Sequence, residues 1–226
     1  MSERFERLLK LWFMEPASRT DGDAKEALSG TKLKLAEAAL ETLKAKGFAG
    51  SSARAIARAG SFNQALIFYH FGSLEQLLLA TLDLVSARRM RAYASAFEQA
   101  RTVSELASLA RRIYAEDLEN GYVTVLGEMV AGGVSNAALG GEVVARLQPW
   151  IDMVERKLRE LLAGSLFESM VPPRDVAFAI IALYLGIDML GHLEGNHARA
   201  ESLLDLGVRN APLAAVLLAS QRSQER

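Results

Sequence analysis

The chain contains no cysteine. That rules out disulfides, thiolate nucleophiles and cysteine zinc sites, and it suits a reducing compartment. Histidine is nearly as scarce, occurring only as His70, His192 and His197. There is also no Gly-x-Ser-x-Gly and no His-Glu-x-x-His, so a nucleophilic or metal-hydrolytic centre has nothing to be built from, and no enzyme is expected. His192, Glu194 and His197 are close in sequence but lack the spacing of a helical zinc pair, with Gly195-Asn196 marking a helix end between them. They read as a loop-edge cluster, and neither metal nor cofactor is expected. Long apolar runs are missing too. The longest, Val176–Ile187, stops at Asp188 and falls short of the roughly 20 residues that cross a bilayer, so it reads as a buried helix. The first residues, Met1–Lys10, are charged throughout and lack the apolar core of a signal peptide. These absences predict an intracellular, cytoplasmic protein with no membrane partner.

Half of the 226 residues are hydrophobic, enough for a packed globule of one or two domains. Net charge is only −1, but it is unevenly spread. Gly30–Gly72 holds Lys32, Lys34, Lys44, Lys46, Arg54 and Arg58 against Glu37 and Glu41, while the remainder of the chain is acidic. A compact positive segment on an acidic body is the electrostatic layout of a DNA-binding module joined to a second domain.

Periodicity gives helices and no strands. Phe5, Leu8, Leu9, Trp12 and Phe13 make Glu3–Met14 an amphipathic helix, followed by a linker over Pro16–Asp23. It either packs on the body or lies near DNA. Leu33, Ala36, Leu40 and Leu43 stripe a helix from Thr31 to Lys46, stopped by Gly47. Ser51 or Ser52 caps a short helix to Ala59, because a serine oxygen accepts an orphaned helix N–H. Gly60-Ser61 breaks it, and Asn63–His70 forms the next. Ser73 with Gln76 caps a long helix to about Gln99. Further helices are expected at Val103–Glu119, Val123–Ala131, Glu142–Ala163, Arg174–Leu193 and Ala211–Gln221. Gly132-Gly133 and Gly140-Gly141 are read as bracketing a loop or a frayed helix start, Pro149 as kinking or restarting its helix and Pro172-Pro173 as a boundary.

Three helices within Thr31–His70, the last two joined tightly, make a helix-turn-helix. Ile56, Ala57, Phe62, Leu66, Phe68 and Phe71 are its expected core. Asn63, Gln64, Tyr69 and His70 are left outward, where Asn and Gln can pair with an adenine edge and Tyr and His can donate to phosphate. For Tyr69 and His70, packing within the unit is the alternative. The stretch Gly47-Phe48, Ser51-Ser52, Ile56-Ala57, then Asn63-Gln64-Ala65-Leu66-Ile67-Phe68-Tyr69-His70-Phe71 and Gly72-Ser73, resembles the TetR family of transcriptional regulators. The detailed match spans about Thr31–Leu82. Two positions depart from the pattern: Gly60-Ser61 stands where the family usually has Ala-Gly, and Leu74 where a lysine is common. The resemblance implies phosphate contacts from Ser52 and Arg54, base-edge contacts from Asn63, Gln64 and Ala65, and backbone contacts from Tyr69 and His70.

The expected fold is all-α, a three-helix helix-turn-helix (30–75) behind an extension (1–29) and before a helical ligand-binding and dimerisation domain (76–226). The helix Arg174–Leu193 is apolar nearly all round, which one chain rarely covers. A homodimer is therefore expected through Phe178, Ile181, Tyr184, Leu185, Asp188, Leu213, Val216 and Leu217. Candidate walls for a small-molecule ligand are Tyr114, Tyr122, Met129, Trp150, Met153, Val154, Phe167 and Met170, each of them equally at home in an ordinary core. Glu128 and Asp188 are candidate polar contacts unless they face solvent or pair across helices. The function expected is a dimeric repressor that binds a near-palindromic double-stranded DNA operator and is released by a small molecule. A helical adaptor with a degenerate head is the alternative.

Overall fold

The computed structural model describes residues 30–165, 168 and 172–220, with the side chains of 214–220 left aside. The helix expected over Glu3–Met14, together with Phe167, Met170 and the side chains of Val216 and Leu217, therefore lies outside what is described. Among the described residues the chain is helical throughout and has no strand.

α1 (Thr31–Gly50) buries Leu35, Ala36, Ala38, Ala39, Leu40 and Leu43. Its regular part stops at Gly47, whose φ of 66° and ψ of −177° suit only glycine. α2 (Ala53–Ala59) starts from Ser52, whose hydroxyl accepts the Ala55 N–H at 3.2 Å. α3 (Ala65–Phe71) follows the turn, and α4 (Leu74–Gln99) is capped by Ser73 Oγ accepting from Gln76 at 3.1 Å. Ile56 and Ile67 are fully buried between α1 and α4, with Phe62, Leu66, Phe71 and Leu74 packed on them. Phe68, expected in this core, is half exposed. On a seven-residue helix only one stripe can face inward; Ile67 and Phe71 hold it, which turns Phe68 out.

The body comprises α5 (Val103–Glu119), α6 (Tyr122–Ser135), α7 (Ala137–Leu162), α8 (Pro173–Glu194) and α9 (Ala198–Ser220). The core of the head continues through α4 into Val125, Leu126 and Met129 of α6 and Leu139 and Val143 of α7. Apolar packing therefore runs unbroken from the first three helices into the body. A second core joins Met90, Tyr93 and Phe97 of α4 to Ile113, Trp150, Val154 and Ala177.

Several expectations about the body need correction. α7 begins at Ala137, ahead of the expected Glu142, because Asn136 Oδ1 caps it by accepting the Leu139 N–H at 3.2 Å. Gly133 and Gly140 are helical, and they let α6 and α7 touch backbone to backbone: a Cβ on Gly133 would stand 2.9 Å from the Gly140 Cα. Pro149 sits inside α7 without ending it. α9 starts at Ala198, well before Ala211, its charged first turns being anchored to α5 by Arg111 on Asp205 at 2.9 Å. The helix expected over Arg174–Leu193 is present as α8, and by length and composition it could cross a bilayer, unlike the shorter apolar run within it. In this protomer it lies against α7 and α9 and buries Ala177, Ile187, Asp188 and Gly191.

Candidate functional site

In the head, the outward face of α2 and α3 gathers Ser52, Arg54 and Arg58 with Asn63, Gln64, Ala65, Phe68 and Tyr69, all exposed, Tyr69 at 82%. His70 is half-buried, its ring edge-on to Tyr69 at 4.9 Å. Asn63 has a second job. Its Oδ1 accepts the Ala65 N–H at 2.9 Å, which initiates α3. Gln64 is therefore the amide with both ends unengaged at the start of that helix. Arg58 and Phe68 belong to the same face but did not stand out in sequence, Phe68 because an aromatic beside Ile67 reads as core.

The turn between α2 and α3 puts its left-handed residue at Ser61, φ 55°, whereas Gly60 has an ordinary φ of −90°. Gly60 is there for space: a Cβ would collide with the Phe62 ring and stand 2.8 Å from Ala38. Leu74, where a phosphate-binding lysine was the comparison, packs on the head core instead.

The joint between head and body is a clamp on α6. Glu128 Oε2 accepts the Phe48 N–H at 2.6 Å, across 80 residues of sequence. Gly47 leaves room for that carboxylate, since a Cβ there would stand 2.7 Å from Oε2. One turn on, Gly132 leaves room for the Phe48 ring, which a Cβ would meet at 2.7 Å. The chain then runs directly into Ser51, Ser52 and α2. Glu128, expected as a possible ligand contact, thus holds the segment that leads into α2 and α3.

The body contains a cavity of about 860 Å³, counting its open mouth, among α4, α5, α6, α7 and α8. Tyr122, Trp150 and Val154, read above as candidate ligand walls, line it, with Leu126, Ile181 and Leu185 among its apolar walls. Tyr114, Met129 and Met153 are buried elsewhere in the cores. The polar centre of the cavity is Arg89, which sequence reasoning passed over. It lies on the buried stripe of α4 with Leu82, Val85 and Tyr93, so a charge at a core position was the available signal. Arg89 Nε donates to Asp117 Oδ1 at 2.7 Å and Nη2 to Asp117 Oδ2, while Tyr184 Oη donates to Oδ2 at 2.8 Å. The guanidinium lies over the Trp150 ring at 4.7 Å, and Trp150 Nε1 donates to Ser86 Oγ at 2.9 Å. Burial pushes Asp117 above the usual carboxylate range, with Arg89 pulling it back, and burial holds the Tyr184 phenol well above its ordinary value.

Behind the cavity, Asp188 is 3% exposed, and its Oδ2 faces Gly127 of α6. Burial raises its pKa to about 6 despite the nearby His197 and His192. Tyr114 Oη sits 3.0 Å from His197 Nδ1, and His192 Nε2 is 3.9 Å from Glu128 Oε1. Among the described residues no group of His, Asp and Glu is arranged to hold a metal.

Of the residues read for the dimer face, Ile181, Tyr184, Leu185 and Asp188 turn toward the protomer's own helices, because Tyr184 and Asp188 have polar neighbours there and Ile181 and Leu185 wall the cavity. Phe178 and Leu213 are exposed, joined by Leu183, Leu190 and Leu193 of α8 and Leu203 and Leu206 of α9.

Residues 35–81 match the model of the bacterial regulatory proteins of the tetR family. No curated protein sequence matches the chain. Among solved structures, the fatty acid degradation regulator FadR from Bacillus halodurans is 16% identical and superposes with a TM-score of 0.66, covering 82% of this chain and 97% of that one. FadR from Bacillus subtilis, solved in complex with stearoyl-CoA, is 14% identical with a TM-score of 0.67, covering 83% and 97%. A TetR regulator from Legionella pneumophila is 19% identical with a TM-score of 0.64, covering 81% and 98%. At these identities the structures share a fold with this chain. Residues 35–81 thus form a head of the tetR regulatory type, carried on a body that shares its fold with these regulators.

Proposed function

We propose that the chain is a dimeric transcriptional repressor that reads a near-palindromic operator and lets go when a small molecule enters the body. The observation that carries this reading is the outward face of α3, where Gln64, Ala65, Phe68 and Tyr69 stand exposed beside Arg54 and Arg58 while Ile67 anchors the helix from behind. An amide and a methyl suit base edges in a major groove, and the arginines and the phenol suit phosphates. Such a protein acts where the DNA is, in the cytoplasm, and needs no catalysis.

Dimerisation rests on the exposed leucines of α8 and α9, since two heads related by a two-fold axis must stand about 34–36 Å apart to enter successive major grooves. The cavity supports the sensing half of the reading. Its largely apolar walls suit a mainly apolar ligand, as an acyl chain would be in the case of the Bacillus subtilis regulator solved with stearoyl-CoA. Leu126 and Tyr122 face the cavity from the same helix that carries Glu128 and Gly132. A ligand that displaces α6 shifts the clamp on Phe48, and with it the approach to α2 and α3; α4, which also walls the cavity, moves with them.

The test is fluorescence anisotropy on DNA flanking the coding region, over a salt series, with wild type and a Gln64→Ala/Tyr69→Ala variant. Tight binding that weakens steeply with salt, and is at least about tenfold weaker in the variant, is the expected result. Equal, weak binding by both proteins to specific and random fragments, repeated on sequences from an unbiased DNA selection, would leave the adaptor reading in place.

A further inference from the structure

We infer that the part of the ligand inside the cavity is uncharged and carries a hydrogen-bond acceptor of the carbonyl kind, directed at Arg89 and Ser86. The inference rests on the sensor reading above and narrows the chemistry of what is sensed.

The charged side chains that line the cavity are two arginines, and each is paired with carboxylates set outside the lining. Arg89 is matched by Asp117, and Arg146 by Asp83 at 2.8 Å and Glu142 at 2.7 Å. Both guanidiniums already have carboxylate partners, so an entering carboxylate would have to compete with those pairs while giving up its own hydration. An ammonium fares worse, since the charges it would meet on the lining are the two guanidiniums.

The polar capacity that remains is nearly all of one kind. Arg89 spends Nε and Nη2 on Asp117 and Tyr184, which leaves Nη1 without a hydrogen-bond acceptor among the described residues. Ser86 Oγ accepts from the Trp150 indole, and its own proton has no acceptor there. Tyr122, which lines the cavity from α6, likewise has no hydrogen-bond partner for its phenol among the described residues, the Lys44 ammonium lying over its ring at 5.2 Å. Tyr184, the other phenol on the wall, already donates to Asp117. A cavity whose unspent groups are donors gains most from a ligand acceptor, and its apolar remainder takes a hydrocarbon. A ketone, ester or thioester carbonyl on an apolar chain has this chemistry.

The test uses Trp12→Phe protein, so that Trp150 is the sole indole and its emission reports on the Arg89–Ser86 end. Three probes of equal carbon number are titrated: 2-nonanone, nonanoate and nonylammonium. The ketone is expected to bind at least about tenfold more tightly than either ion, and to lose about fivefold in Ser86→Ala, the scale of one hydrogen bond. Arg89→Lys keeps the charge opposite Asp117 but removes Nη1, and it too is expected to weaken the ketone; thermal melts confirm that both variants fold. A tighter fit for nonanoate or nonylammonium, ketone affinity indifferent to both substitutions, or no response of Trp150 to any probe overturns the inference. Operator anisotropy with the same probes separates the two readings. Release of DNA by an ion in place of the ketone sinks the ligand class and spares the sensor. Ketone binding that leaves the operator complex untouched does the reverse.

Discussion

Single residues carry costs that can be measured. Ser61 sits at a φ of 55°, a region that burdens a side chain by about 1–2 kcal/mol. Ser61→Gly is expected to stabilise the head by about 0.5–1 kcal/mol, part of the relief being offset by the greater freedom of glycine in the unfolded chain. Gly60→Ala is expected to destabilise, because its Cβ meets Phe62 and Ala38. Urea denaturation of the two variants distinguishes a turn that needs freedom at Ser61 from one that needs it at Gly60. Asp188 offers a second residue-scale test. Its folded pKa of about 6 lies above the ordinary carboxylate value of 3.8, so the folded state holds a proton that the unfolded chain has released. Keeping the ionised carboxylate buried therefore costs stability above about pH 6, and the cost fades as pH falls toward 4. Asp188→Asn is expected to be more stable than wild type by about 2 kcal/mol at about pH 7.5, with the advantage shrinking toward about pH 4.5. A difference that stays constant across that range would mean the carboxyl is not the group responsible.

At the scale of elements, α6 matters most because it has two working faces. One lines the cavity with Tyr122 and Leu126, and the other grips Phe48 through Glu128 and Gly132. Removing the carboxylate leaves a partly buried N–H unpaired, at a cost of about 1–3 kcal/mol. Glu128→Ala is expected to speed hydrogen exchange at the Phe48 amide and to weaken operator binding about tenfold, whereas Glu128→Gln, which keeps an acceptor, retains most of both. Unchanged exchange and unchanged DNA affinity in the alanine variant would show that the clamp does not position the head. The glycines of this region divide by purpose: Gly47 supplies a backbone angle and room, while Gly132, Gly133 and Gly140 supply room alone.

For the whole molecule, the open question is what covers α8 and α9. Phe178, Leu183, Leu190 and Leu193 on α8 and Leu203, Leu206 and Leu213 on α9 are all exposed, a concentration of large apolar side chains on two helices. A second copy would bury it. Leu183→Asp/Leu190→Asp is expected to shift sedimentation from dimer to monomer and to lower operator affinity at least about a hundredfold, because the second head no longer binds as part of the same complex. The slope of affinity against salt is expected to fall by about half, since a single head neutralises half as many phosphates. A variant that remains dimeric would place the interface elsewhere.

The helices, the turn and the family resemblance of the head were determined by local features that the sequence displays: the Ser52 and Ser73 caps, the Gly47 stop, the stripe of α1 and the run from Asn63 to Phe71. Each acts within a few residues, so sequence alone is sufficient. The clamp, the cavity and the sidedness of α8 were not legible in the same way. Glu128 meets Phe48 across 80 residues, Arg89 meets Asp117 across 28, and whether Tyr184 points to a partner or inward depends on where Asp117 stands. Gly132-Gly133 and Gly140-Gly141 read as a loop or a frayed helix start because glycine weakens a helix; in the fold, Gly132, Gly133 and Gly140 are what lets helices and rings approach. Propensity and periodicity are properties of a segment, and they fixed the elements and the head. Which polar side chains become a site is a property of distances between segments, and packing decided that.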